Sequence, residues 1–233
     1  MTGVTRALVL AGGEPPYTDP WHPFAATSTL LAGLARDLGF EVEVTTEVVE
    51  RLADLSGVDV LIADVPSPSV PLDASLRESA AHGLGQFLER PSGVLALHVS
   101  VTTLLGLPQW SDLMGARWVQ GTTMHPPLGS ATVTVGAGGS LFTHARDFEL
   151  LDELYSFLEF DGPIEPVVTH AYAGATHPLL WLREVGPTRV VADALGHGAE
   201  SFDSSDHVAL LAAALQWAAR TPVAAAGADH INH

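Results

Sequence analysis

Eleven histidines, a few carboxylates beside aromatic residues, and no cysteine or lysine define the chemistry open to this chain of 233 residues. His98 closes the apolar run Gly93-Val-Leu-Ala-Leu-His98, and His197 closes Ala194-Leu-Gly-His197. His22 stands between Trp21 and Pro23, and His125 lies in Met124-His-Pro-Pro127. Imidazole changes charge near neutral pH, so His98 and His197 are candidate general acid/base groups, and Glu153 joins them among the catalytic candidates as a carboxylate that would orient hydroxyls. The same histidines are candidate metal ligands. His22, His98 and His197, joined by Glu14 or His125, would make a nitrogen and oxygen donor set suited to zinc or a similar divalent ion. Glu14 and Tyr155, the latter in Asp152-Glu-Leu-Tyr155, are candidates for holding hydroxyl groups, His125 is a further candidate for binding substrate, and Trp21 and Trp181 are candidates for stacking on a sugar ring.

Each residue also has a plainer reading. His98 would serve as a core histidine satisfied by a backbone carbonyl, and His197 as a loop residue with no task. His22 and His125, each beside proline, would shape turns. The Asp152 to Tyr155 segment would cap a turn, with Glu153 or Tyr155 entering a cleft as the alternative. Trp181 and Arg183 share one face of a strand at period two, which packing plus a surface ion pair would explain. His82, His207, His230 and His233 read as solvent-facing or tail residues.

Other chemistry is excluded by composition. Without Cys there are no disulfides, thiolate ligands or Cys nucleophile. Without Lys there is no P-loop and no Schiff base. Neither Gly-x-Gly-x-x-Gly nor Gly-x-Ser-x-Gly is present, so a dinucleotide fingerprint and a hydrolase nucleophile elbow are unsupported. A formal charge of −17, from 27 acidic and 10 basic residues, argues against nucleic acid and anionic membrane as partners.

These groups need a scaffold to bring them together. Arg6–Ala11 is an apolar run stopped by glycines and reads as a buried strand. Phe24–Leu38 has leucines at helical spacing and Gly39 as its stop. Strands follow at Glu41–Thr45, Val58–Ala63 and Gly93–His98, with a helix over Leu76–Leu88 before the last. Gln109–Met114 reads as a short helix and Thr132–Val135 as a strand broken by Gly136-Ala-Gly-Gly139. Pro166–His170, Leu179–Glu184 and Arg189–Asp193 read as strands, and Val208–Ala219 as the final helix. Continuous apolar strands alternating with helices predict a three-layer α/β/α, flavodoxin-like fold around a mainly parallel sheet. One domain is expected over residues 1–221, with an irregular insertion around 105–165 and a flexible tail over 222–233. Ligands in such sheets sit beyond the carboxyl ends of the strands, where His22, His98 and His197 all fall. Leu104, Leu105, Leu107 and Trp110 either join the core or expose an apolar patch that would support a homo-oligomer. The N-terminal apolar run Arg6–Ala11 is shorter than a signal peptide requires and no later run reaches the length of a membrane helix, so a soluble cytoplasmic protein is expected.

Gly12-Gly13, His22-Pro-Phe24, Gly93 to His98, Met124-His-Pro126, Asp152-Glu-Leu-Tyr155, His177-Pro-Leu-Leu-Trp181-Leu-Arg183 and Arg189 to His197 recur in an order that resembles the trehalose-utilisation (ThuA-like) family. The resemblance spans roughly residues 5 to 220. It implies a class I glutamine-amidotransferase-like fold and a role in sugar catabolism. In true amidotransferases the elbow after the equivalent strand holds a nucleophilic Cys. Here the similar position is His98, so thiolate-driven glutamine hydrolysis is excluded. His197 resembles the amidotransferase histidine in location, and its acidic partner would then be Glu200. The chain departs from the family in the prolines of Glu14 to Pro20, in the β-branched stretch Val99 to Thr103, and in lacking Gly before His125.

Two function classes follow. One is an enzyme acting on a sugar or keto-sugar by isomerisation, elimination or hydrolysis, with or without a metal. The other is a non-catalytic sugar-binding or scaffold protein that keeps the fold.

Overall fold

In the computed structural model, which describes residues 3–136 and 146–222, the continuous apolar runs form the centre of a nine-stranded sheet. The elements in chain order are β1 (Arg6–Ala11), α1 (Phe24–Asp37), β2 (Glu41–Thr45), α2 (Val48–Ala53), β3 (Val60–Asp64), α3 (Ala74–Leu88) and β4 (Ser92–Leu97). A 3-10 turn over His98–Val101, α4 (Pro108–Met114), β5 (Ala116–Arg117), β6 (Gly129–Val135), β7 (Phe148–Asp152) and β8 (Glu159–Phe160) follow. Then come β9 (Glu165–Tyr172), β10 (Ala175–Val185), β11 (Thr188–Asp193), a 3-10 turn over Ala199–Asp203 and α5 (Ser205–Ala218). The strand order is β2-β1-β3-β4-β11-β10-β9-β6-β7.

The five strands β2, β1, β3, β4 and β11 pair in parallel, the flavodoxin-like order expected. β3 and β4 are buried along their whole length because helices cover both faces. Leu31, Ala35, Leu211 and Leu215 of α1 and α5 pack on one face with Val9, Ile62 and Leu95. Leu52, Leu84 and Phe87 of α2 and α3 pack on the other with Leu8, Leu61 and Val94.

Beyond β11 the sheet turns antiparallel, more extensively than "mainly parallel" anticipates. The cause is local. Ala173 and Gly174 both take positive φ, 50° and 79°, which is the hairpin geometry whose twist suits two antiparallel strands. Parallel neighbours would need a crossover of about a dozen residues or more. The irregular segment from 105 to 165 supplies α4 and the small β5–β8 pair, and it lends β6 and β7 to the main sheet. Leu104, Leu105, Leu107 and Trp110 are all buried. They are core beneath α4, so the apolar patch considered for self-association is absent. Gly136 ends β6, whereas Ala137 to Gly139 and the tail from residue 223, with His230 and His233, lie outside the described residues.

Candidate functional site

The carboxyl ends of β1, β4 and β11 deliver the three histidines. After β1 the chain passes Gly12, where a Cβ would come within 2.8 Å of Phe24 and Pro66. Only glycine lets the loop pass so close to the start of α1. Asp19 then organises the turn. Its carboxylate accepts the backbone N–H groups of Trp21 and His22 and the Nδ1–H of His22, at 2.8–3.0 Å. His22 is left with Nε2 free.

His98 follows β4 directly at φ 46°. This left-handed conformation is disfavoured for a residue with a Cβ, and such strain persists where surrounding structure fixes it. The turn swings the ring under the sheet edge, where it is 2% exposed. Its Nδ1–H donates to Ala194 O at 2.9 Å, so in the neutral ring Nε2 carries a bare lone pair. That atom lies 3.4 Å from His197 Nδ1. His197 is presented by Gly196, whose φ of 94° and close approach to Leu97 admit no side chain.

Glu153 stands just past the end of β7, and its Oε2 lies 3.2 Å from His197 Nδ1 and 3.4 Å from His125 Nδ1. One donor atom from each of His22, His98, Glu153 and His197 falls within 4.8 Å of the others. Burial holds His98 well below the usual imidazole range, with the neighbouring histidines adding to the shift against the Ala194 carbonyl. Burial also lowers His197, against the opposing pull of Glu153. Both rings are therefore neutral near pH 7, the form that binds a metal.

The cluster opens into a pocket of about 500 Å³. Trp118, His125 and Tyr155 form one aromatic wall, with Trp118 edge-on to Tyr155 at 5.1 Å and Tyr155 against His98 at 4.5 Å. Trp21, 72% exposed, stands at the mouth. Burial, together with the charges of Glu153, Asp152 and Asp19, pushes the Tyr155 phenol well above its usual range, so it stays a donor. None of the residues lining the pocket is Arg.

The structure thus gathers His22, His98, His125, His197, Glu153, Tyr155 and Trp21. It does not gather Glu14 or Trp181. Glu14 is exposed in the first loop and does not line the pocket. Trp181 is fully buried in the core, where its indole N–H donates to Met114 O. It cannot meet a sugar, because the end of α4 and Phe160 of β8 cover it. Arg183 on the same face donates to the carbonyls of Asp112 and Leu113 rather than forming a surface ion pair. The carboxylate against His197 is Glu153, whereas Glu200 adds only a weaker field. His207 is not solvent-facing: it is fully buried and paired with Asp193 at 2.8 Å.

Three residues with a part in the site were given no role there by the sequence alone. Asp19 had a signal, an Asp three residues before a His in a proline-rich turn. Trp118 had none. Asp152 was seen only as a turn residue, yet it is 2% exposed and bonded to the backbone of two site segments.

A family model described as "Trehalose utilisation" (ThuA) matches residues 8–218. Among solved structures, a protein described as ThuA-like from Parabacteroides merdae aligns with a TM-score of 0.74 and 16% identity, over 93% of this chain and 90% of the other. One so described from Bacteroides uniformis gives 0.72 and 16%, over 92% and 91%. A cold-adapted β-galactosidase from Rahnella sp. R3 gives 0.61 and 14%, over 94% of this chain and 32% of that larger one. At these identities the structures attest to the fold alone. No curated protein matches the sequence.

Proposed function

We propose that this chain, which belongs to the trehalose-utilisation (ThuA) family, is an enzyme acting on an uncharged sugar or keto-sugar with a divalent metal ion held by His22, His98, His197 and Glu153. The family carries the carbohydrate-related role. The observation that carries the metal is the convergence of three imidazoles and one carboxylate within 4.8 Å at a pocket.

The donor set fits. Two ligands about 2.0–2.1 Å from a tetrahedral ion stand roughly 3.3–3.4 Å apart. His98 and His197 are separated by 3.4 Å, and His197 and Glu153 by 3.2 Å. Three nitrogens and one oxygen suit zinc or a neighbouring transition metal better than magnesium or calcium. Asp19 on His22 and the Ala194 carbonyl on His98 are the outer partners that fix ligating imidazoles in one tautomer. Bound there, the ion would polarise a carbonyl or hydroxyl of the sugar by taking it as a fifth ligand.

The remaining residues act on the substrate. Tyr155, held protonated, donates to a sugar oxygen. His125, whose Nδ1 stands 3.4 Å from Glu153, takes and returns a proton next to the carbonyl, the step common to isomerisation and elimination. Trp118 and Trp21 offer aromatic faces to the C–H surface of the ring. With no cation in the lining, a phosphorylated substrate gains no partner from the protein.

The test is metal content of protein purified without chelator, followed by a screen for turnover of keto-sugars. A stoichiometric divalent metal is expected in the parent and at least a tenfold loss of occupancy in His98→Ala and His197→Ala. Full activity in both variants would overturn the proposal. Sugar binding with neither metal nor turnover would make the protein a binding module instead.

A further inference from the structure

The metal cluster draws its members from two parts of the sheet that do not neighbour each other in sequence. His22 and His98 follow β1 and β4 of the parallel half, whereas Glu153 follows β7, the far edge strand of the antiparallel half. His197 sits between them on the loop after β11. Glu153 and His197 must nonetheless be held 3.2 Å apart. Asp152 is placed to do this.

Asp152 is the last residue of β7 and is 2% exposed. Its Oδ1 accepts the backbone N–H of Glu153 at 2.7 Å and the backbone N–H of His197 at 3.2 Å. Its Oδ2 accepts the backbone N–H of Gly196 at 2.7 Å and the Ser201 hydroxyl. One oxygen thus joins the main chains of two metal-binding residues, and the other ties down the residue before His197 and the 3-10 turn that follows. All four acceptor positions of the carboxylate are taken. A side chain used only to cap β7 would have no need of the amides of Gly196 and His197, 44 and 45 residues further on.

We propose that Asp152 is a positioning residue, a buried carboxylate whose bonds to the Glu153 and His197 amides set the spacing of those two donors for the metal. It touches neither metal nor substrate. The inference rests on the metal reading above and adds to it which group fixes the donor geometry. Outer partners of this kind typically change metal affinity by about 10–100-fold when removed.

The experiment uses the full chain and cobalt(II), whose visible bands report ligand geometry. The parent is titrated first, then Asp152→Asn, Ser201→Ala and His207→Gln, each with a thermal unfolding scan. Whichever way its amide turns, Asp152→Asn sets an N–H donor against at least one backbone N–H, that of Gly196 or those of Glu153 and His197. It is expected to weaken cobalt binding at least tenfold and to change the band positions or intensities. Ser201→Ala keeps all three amides but leaves Oδ2 with only the Gly196 N–H, and should weaken binding about threefold. His207→Gln breaks the Asp193 pair and the Nδ1 bond to the Ser201 carbonyl, but leaves the Ser201 hydroxyl and all four bonds to Asp152 in place. It should lower the unfolding temperature while leaving cobalt affinity within twofold and the spectrum unchanged.

If Asp152→Asn does not fold, the contrast between Ser201→Ala and His207→Gln decides, and equal affinities in those two variants would overturn the inference. Unchanged affinity and spectrum in folded Asp152→Asn would overturn it while leaving the metal reading intact. Equal weakening in His207→Gln would reduce the effect to general loosening and also overturn it. A parent protein that binds no cobalt would defeat the metal reading itself, and the inference with it.

Discussion

Asp64, at the carboxyl end of β3, is 2% exposed and accepts the hydroxyls of Thr27 and Ser28 at 2.6 and 2.7 Å. Burial raises it to about 6, against the downward pull of the two hydroxyls. The folded value lies above the unfolded one of about 3.9. The folded state therefore holds the proton more tightly, and the associated stability is fully present below about pH 3.9 and lost as pH rises through about 6. A shift of that size is worth about 3 kcal/mol. Asp64→Asn, which keeps an acceptor for the hydroxyls, should be more stable than the parent at pH 8, by up to that amount, and the gain should vanish below pH 4. Urea denaturation at the two pH values measures it, and an equal gain at both would reject the account. At this scale the sequence was informative where position followed from a strand end. His98 and His197 were legible because apolar runs stop at them. Trp181 was misread because period two says which residues share a face of β10, not that α4 lies over it. His207 was misread because its partner Asp193 belongs to another element, and nothing in the sequence pairs them.

Helix α3 carries two glycines with opposite expected behaviour. A Cβ at Gly83 would lie 2.3 Å from Leu52 O and 2.5 Å from Ala53 O, because α3 crosses the end of α2 there. At Gly85 nothing lies within 4 Å. Alanine improves helix propensity by about 1 kcal/mol at either position. Gly85→Ala should therefore stabilise by about 0.5–1 kcal/mol, whereas Gly83→Ala should destabilise by about 2 kcal/mol or more, since overpacking outweighs propensity. Denaturation midpoints of the two variants would show it, and a stable Gly83→Ala would mean that the helices are not in contact. The sequence did not reveal α2 at all. Its six residues open with Val48-Val49, and so short a segment shows no periodicity to set against a strand. Phe148-Glu-Leu-Leu-Asp152 buries every other residue, but with Leu151 exposed and Asp152 buried its residue types do not alternate, and the acidic residues beside Tyr155 drew the reading toward a turn. Boundaries moved by one to three residues where capping rather than hydrophobicity decides them. Asp73 and Ser204, each accepting backbone amides, start α3 and α5 earlier than the first leucine or valine suggested.

The molecule as a whole presents a strongly acidic surface around a pocket with aromatic walls and no cation in its lining. Phosphorylated sugars should therefore fail to compete with neutral ones, as measured by inhibition of keto-sugar turnover. Trp21→Ala should raise KM at least fivefold without changing metal content, because Trp21 stands at the mouth and is not among the donors. Both outcomes depend on the pocket, which the sequence could not show, since its walls come from the segment read as an irregular insertion. The division of the donors along the chain has a consequence in time. His98 and His197 touch across 99 residues of sequence, and synthesis runs from the N-terminus at about 5–20 residues per second. His22 and His98 leave the ribosome seconds before His197, and β11 must slot between β4 and β10 before the loop after it can close on the others. On the metal reading proposed above, loading would come at the end of biogenesis, and ion capture would mark a chain whose sheet is already complete.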